Sequence, residues 1–211
     1  ECAEHFYKFN FFNFWCFGIA TVCLAQLLNP FISLWIGPGK TFEQPVVMIL
    51  VLNFWMDNIL MVVYSFRLAY GLYRYGKYYR LLGAVINVIL SICWAKTMGV
   101  FGVMLATSIT NLVVFFYPYY LFKYGFKMKP YKYYRDLAGQ IIITGISYVI
   151  AHWACGLVKI NGFFGLFAQA FICVTVVIVV FGIRYWHTEE FQFMKNEICR
   201  YAKVCFEKYK R

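Results

Sequence analysis

The sequence predicts an all-α integral membrane protein of about six transmembrane helices, followed by a C-terminal amphipathic helix. Three observations carry that prediction. Six mostly apolar runs of about twenty residues recur along the chain, each long enough to cross the roughly 30 Å hydrocarbon core of a bilayer. The composition is 63% hydrophobic and only 14% charged, against about 25% charged in an ordinary soluble domain, so the polar surface that a soluble fold needs is missing. The basic residues also fall on alternate connections between the runs, as they do when positive charge marks the inner side of a membrane.

The first apolar span covers residues 11–28. Asn29 and Pro30 follow, and because proline lacks a backbone N–H and crowds the turn before it, the span is expected to end there. A short link, residues 31–44, holds Trp35, Gly37, Pro38 and Gly39. The second span, 45–64, has one carboxylate, Asp57, near its middle and runs into a basic segment with Arg67, Arg74, Lys77 and Arg80. The third span, 79–95, is short. The fourth covers 99–122, the fifth 138–158 and the sixth 163–183. Apolarity on every side over this length suits helices in lipid, whereas barrel strands would alternate over about ten residues.

Six crossings place both termini on one side. That side then holds 17 of the 20 basic residues, and only Lys40, Lys96 and Lys159 lie opposite. Without the short third crossing the split would fall to 13 against 7, so the charges favour six crossings with both ends in the cytoplasm. The net charge of +11 follows from this topology and does not call for nucleic acid as a partner. Tyrosines gather beside two of the basic loops, as Tyr73, Tyr75, Tyr78 and Tyr79 and as Tyr117, Tyr119, Tyr120, Tyr124, Tyr131, Tyr133 and Tyr134. Rings with one wet end suit the headgroup region.

The tail, residues 184–211, has a different composition. Thr188 is placed to cap a helix, with Glu189 and Glu190 in its first turn, where carboxylates oppose the helix dipole favourably. Phe191, Met194, Ile198, Tyr201, Ala202 and Cys205 then recur at helical spacing, with Lys195, Arg200, Lys203 and Glu207 elsewhere on the helix. This reads as a basic amphipathic helix on the inner leaflet, with Lys208, Lys210 and Arg211 near anionic lipid.

Asp57 is the first candidate for function, since a carboxylate at the centre of a membrane helix costs on the order of 2.5–3.5 kcal/mol on insertion scales. Asn53, Asp57, Tyr64 and Arg67 fall within roughly 80° of one another on a 3.6-residue helix. They form one polar stripe, which either lines a water-filled path or pairs with a neighbouring helix. On such a path Asp57 would bind a proton, a cation or substrate. Asn87, Ser91, Thr107, Ser108, Thr110 and Asn111 add polar positions in the third and fourth spans, where hydrogen bonds between helices are their commoner use.

Nothing in the sequence supports a catalytic centre. The eight cysteines are scattered with no C-x-x-C pair, and His5, His152 and His187 stand apart, so neither a disulfide framework nor a metal site is expected. Gly39-Lys40-Thr41 mimics the end of a phosphate-binding loop, but Leu34 stands where that loop needs glycine. No G-x-S-x-G and no H-E-x-x-H occurs. The chain opens on Glu1 without a signal-peptide pattern, and reads as a piece of a longer protein.

Several segments resemble a known family. The run Asn29-Pro30-Phe31-Ile32-Ser33-Leu34-Trp35-Ile36-Gly37 resembles a span-ending segment of Wzx-type polysaccharide flippases of the multidrug/oligosaccharidyl-lipid/polysaccharide exporter superfamily. Ala84-Val85-Ile86-Asn87-Val88-Ile89-Leu90-Ser91, followed by Met98-Gly99-Val100-Phe101-Gly102 and on to Ala106-Thr107, is similar to a helix pair of that family. Phe66 to Leu72 is similar to the joining segment. The resemblance covers about residues 11–124 and implies one lobe of a two-lobe transporter, with this chain as the C-terminal part. The implied cargo is an undecaprenyl-diphosphate-linked oligosaccharide, moved across the cytoplasmic membrane, and polysaccharide polymerase or export proteins are implied partners. The family has no fixed catalytic motif and no resident cofactor, and the resemblance leaves coupling to a proton or sodium gradient open. Arg67 would suit the diphosphate, since arginine binds phosphate bidentately; its other reading is an inside-facing topology charge. A multidrug exporter of the same superfamily, a membrane-bound glycan-assembly enzyme and a scaffold are the alternatives.

Overall fold

The structure is a computed structural model that describes residues 2–37, 39–74, 77–157 and 162–209, without the side chains of Tyr79 and of residues 201–209. Pro38, Tyr75, Val158, Lys159, Lys210 and Arg211 therefore lie outside the described residues, as do the side chains of Tyr79, Tyr201, Ala202, Lys203, Cys205, Glu207 and Lys208.

The described residues are helical throughout their ordered elements, with no strand among them. Helix α1, Cys2–Trp35, is the hub. Phe6, Asn10, Phe14, Gly18, Val22 and Ala25 are all buried, and their three- to four-residue spacing puts them on one face. Against it pack α2 (Gln44–Ile59), α3 (Met61–Ala69), α6 (Tyr131–Gly156), α7 (Gly162–Tyr185) and α8 (Glu189–Tyr209). Glycine at position 18 matters here, because a Cβ would lie 2.9 Å from the Phe181 ring of α7. Its absence lets Phe181 stack on Phe14 at 4.6 Å. Farther along, Cys155 of α6 and Cys173 of α7 are buried with their sulfurs 3.5 Å apart, both as free thiols.

Pro30 does not end the first helix, contrary to the expectation from sequence. Helix α1 runs through it to Trp35. A proline costs one backbone hydrogen bond, and the tie that compensates lies beside it. The Asn29 amide donates to the Phe42 carbonyl at 2.8 Å, and its oxygen accepts the Phe42 N–H at 3.0 Å. The second span is broken at Leu60, between α2 and α3. There the Asn58 carbonyl accepts an amide hydrogen from Asn13 of α1 at 2.8 Å, so the break is pinned to the hub.

Helix α4, Lys77–Leu112, is a hairpin. Gly99 at its middle has φ 59° and ψ −137°, a conformation open essentially to glycine alone. Asn87 donates to Thr107 and Thr110 at 3.3 and 3.1 Å, partners that a straight helix would hold about 30 Å away. At Gly102 a Cβ would meet the Trp94 carbonyl oxygen at 2.6 Å, so the two arms touch backbone to backbone. The second arm continues through a 3-10 turn (Val113–Phe116), a short α5 (Tyr117–Tyr120) and a π-helical turn (Leu121–Phe126). Pro118, which cannot donate to the preceding turn, sits among these irregular turns.

Among the described residues five helical segments are long and apolar enough to cross a membrane, and one of them, Arg80–Phe126, is this folded hairpin. Six arms result, as the sequence predicts, each longer at one or both ends than its apolar run. Much of their outer surface is apolar, including Val88, Ile92, Ile142, Trp153, Phe164 and Phe171, which is consistent with a multi-pass membrane protein.

The connections sort onto two ends. Phe6 meets Phe66, Phe122, Phe126 and Tyr133 at 5.3–5.9 Å, so the start of α1, the end of α3, the π-helical turn and the start of α6 close one end together. The basic loops lie at that end. Two tyrosines assigned to the headgroup region belong elsewhere: Tyr117 and Tyr133 are each 1% exposed, packed inside by the aromatic cluster. Thr188 stands directly before α8, where the sequence places a cap, with Glu189 and Glu190 in the first turn. Its carbonyl accepts the Gln192 N–H at 3.1 Å, and its hydroxyl donates to the Tyr185 carbonyl at 2.8 Å at the end of α7. Helix α8 then folds back on α1, with Phe191 against Trp15 at 5.6 Å.

Candidate functional site

The polar stripe predicted on the second span exists, and it faces one partner. Asn53, Asp57, Tyr64 and Arg67 all meet residues 104–117, the second arm of α4 and the turns after it. Helical spacing on both sides sets the register: Asn53 and Asp57 are one turn apart, as are Ser108 and Asn111.

Asn53 is buried, and both its side-chain nitrogen and its oxygen are hydrogen-bonded. Its amide donates to the Met104 carbonyl at 2.9 Å, and its oxygen accepts the Ser108 hydroxyl at 2.8 Å. It clamps two helices and offers no free atom to a path. Asn87 has the same kind of role within the hairpin, bonding Thr107 and Thr110, with Ser91 donating to it at 3.5 Å.

Asp57 is different. One carboxylate oxygen accepts the Asn111 amide at 2.9 Å, but the side chain is exposed. It lies about 20 Å along the helix from Gln44, and the α2–α3 segment is about 38 Å long, so the carboxylate sits near the middle of that segment. A charge placed there on an open face needs water or a polar partner in front of it.

Toward the basic end the stripe becomes cationic. Tyr64 and Tyr117 meet edge to face at 5.6 Å. The Arg67 guanidinium lies 4.0 Å over the Tyr117 ring, and that of Arg80, from the first hairpin arm, 4.8 Å over the Tyr64 ring. Arg80 is exposed. Arg67 is 7% exposed, and its Nε and Nη1 have no hydrogen-bond partner. Cation–π contact offsets part of the desolvation of such a charge, but it supplies no acceptor for the N–H groups. Neither arginine has a carboxylate within salt-bridge distance among the described residues.

Arg80 was noted from sequence only as one of a basic segment; the tertiary fold makes it part of this ladder. A second polar region was missed altogether. A cavity of about 730 Å³ opens at the basic end between α1, α6, α7 and the start of α8, with Asn10, Tyr133 and Gln140 on its wall. The signal in sequence was weak: Asn10 precedes the first apolar run, and Gln140 is one amide near the start of the fifth. Among the described residues no group of His, Cys, Asp and Glu is arranged to hold a metal ion. No protein-family model, curated protein or solved structure matches the chain.

Proposed function

We propose that the chain is one helical lobe of a transporter that flips lipid-linked oligosaccharide, an undecaprenyl-diphosphate glycan, across the cytoplasmic membrane for cell-surface polysaccharide assembly. The observation that carries the reading is the polar ladder. Arg67 and Arg80 meet at the Tyr64–Tyr117 pair at the basic end, and Asp57 with Asn111 stands on an open face near the middle of the α2–α3 segment. The choice of cargo rests on the order and spacing of the segments that resemble polysaccharide flippases.

The chemistry of the task suits the ladder. Sugar hydroxyls and a diphosphate lose their water on entering hydrocarbon, which is costly unless other polar groups replace it. The exposed Arg80 would meet the diphosphate first, at the cytoplasmic side, where both termini of this segment lie. The unpaired Nε and Nη1 of Arg67 would gain the acceptors they lack. Asp57 would then engage sugar hydroxyls or a coupling proton or cation as the head group passes mid-depth.

The test is genetic and biochemical. Cells lacking the gene should accumulate the glycolipid on the cytoplasmic face, and the wild-type gene should restore its delivery. Asp57→Asn and Arg80→Ala, matched for membrane abundance, should each deliver at least about tenfold less, as the loss of one charge-assisted hydrogen bond at the rate-limiting crossing implies. Normal delivery by both variants would remove the ladder as the path, and no accumulation on loss of the gene would remove the cargo.

A further inference from the structure

None of the ladder residues lines the polar cavity at the basic end, and the transport reading makes no use of it. Three buried side chains on its wall carry oxygens without a hydrogen-bond partner: Asn10 Oδ1, Tyr133 OH and Gln140 Oε1. The three residues are 5%, 1% and 4% exposed and come from two different helices. One orphaned polar atom is an ordinary imperfection, but each costs about 1–3 kcal/mol. Three such atoms, all in residues that line one opening, mark a place that something else completes.

The charges around the opening largely cancel among themselves. Lys132 pairs with Glu190 at 3.3 Å, and Arg135 with Asp136 at 3.6 Å. Arg184 and Glu189 also line the opening, so three cations face three anions and the lining is neutral overall. The uncharged groups without a partner are two amides and a phenol. Each of these groups both donates and accepts, and a hydroxyl does the same. A polyol therefore fits whichever way the amides are turned, whereas an ammonium could only donate and a phosphate only accept. A volume of about 730 Å³ lies within the range of small-molecule sites.

The cavity also has an apolar neighbour. A groove of about 890 Å³ runs between α1, α7 and α8 along Trp15, Ile19, Ile183, Phe191, Met194 and Ile198, and His187 borders both spaces. A polar chamber and an apolar groove that share a bordering residue match an amphiphile. We propose that this is a binding site for a lipid with a neutral, hydroxyl-rich head, the head among Asn10, Tyr133 and Gln140 and an acyl chain in the groove under α8. The site does not depend on transport: it would hold such a lipid in a protein that moved nothing.

The experiment uses the full chain purified in detergent and titrated with monohexosyl diacylglycerol, with diacylglycerol and free hexose as separate arms. Thermal unfolding and quenching of tryptophan fluorescence by brominated acyl chains are the readouts, since Trp15 and Trp186 both border the groove. The glycolipid should raise the unfolding temperature and quench, while diacylglycerol and hexose should do neither at equal concentration. Gln140→Leu and Asn10→Leu should each weaken glycolipid binding by about tenfold while leaving the ligand-free protein as stable as wild type. Equal effects from diacylglycerol would reduce the groove to ordinary annular lipid and overturn the proposal. So would an effect reproduced by hexose alone, no effect from the glycolipid, or undiminished binding by both variants. None of these outcomes bears on Asp57 or Arg80, so the transport reading fails or stands separately.

Discussion

On one flank of α1, where α2 meets the second arm of α4, side-chain amides, a hydroxyl and a carboxylate are bonded to one another: Asn53 with Ser108 and Met104, Asp57 with Asn111. On the other flank, where α1 meets α6, Asn10, Tyr133 and Gln140 are as buried as Asn53 and Ser108 but have oxygens left over. The same residue types thus do two jobs. Where two helices each supply half of a hydrogen bond, the polar group is glue, and its removal orphans a partner. Where one side of the bond is missing, the group is an unfilled socket, and its removal orphans nothing. Burial and residue type do not separate these cases; the presence of a partner does.

That contrast can be broken experimentally, and thermal unfolding in one detergent gives a common scale. The largest loss is expected at the hairpin that presents the bonded partners. Gly102→Ala forces a Cβ against the Trp94 backbone at 2.6 Å, and overpacking against an unyielding neighbour costs about 1–3 kcal/mol. A protein as stable as wild type would show that the arms do not touch there. Next comes the bonded flank itself. Asn53→Leu leaves Ser108 without its acceptor on α2 and removes a donor from the Met104 carbonyl. The expected cost is about 1 kcal/mol, modest because unfolded helices in a micelle also find partners. Adding Ser108→Ala should recover part of that loss. The smallest change is expected on the unbonded flank, where Gln140→Leu should lie within about 0.5 kcal/mol of wild type or above it. If Gln140→Leu proved as damaging as Asn53→Leu, the two flanks would not differ in the way their hydrogen bonds suggest.

Much of this molecule was legible in its sequence. Six runs of apolar residues became six arms, and the basic residues named the end at which Phe6, Phe66, Phe122 and Tyr133 meet. Asp57 stood out because nothing near it in sequence matched it, and it is an exposed carboxylate near the middle of the α2–α3 segment. Asn87, Thr107 and Thr110 were expected to bond between helices, and they do. The errors were of one kind. Pro30 was read as a stop, but Asn29 and Phe42 tie the chain beside it. Tyr117 and Tyr133 were placed at an interface, but the fold encloses them.

What the sequence determined by itself is additive: length, apolarity and net charge are sums over neighbouring residues, and lipid or water responds to those sums directly. Only the tertiary structure decided which polar atoms have partners, because a hydrogen bond requires two groups within about 3 Å. Residues 53 and 108, or 10 and 140, acquire such distances only when the helices dock. The ladder and the socket are made of similar residues, and they differ because α2 meets a matching helix while α1 and α6 leave a space between them.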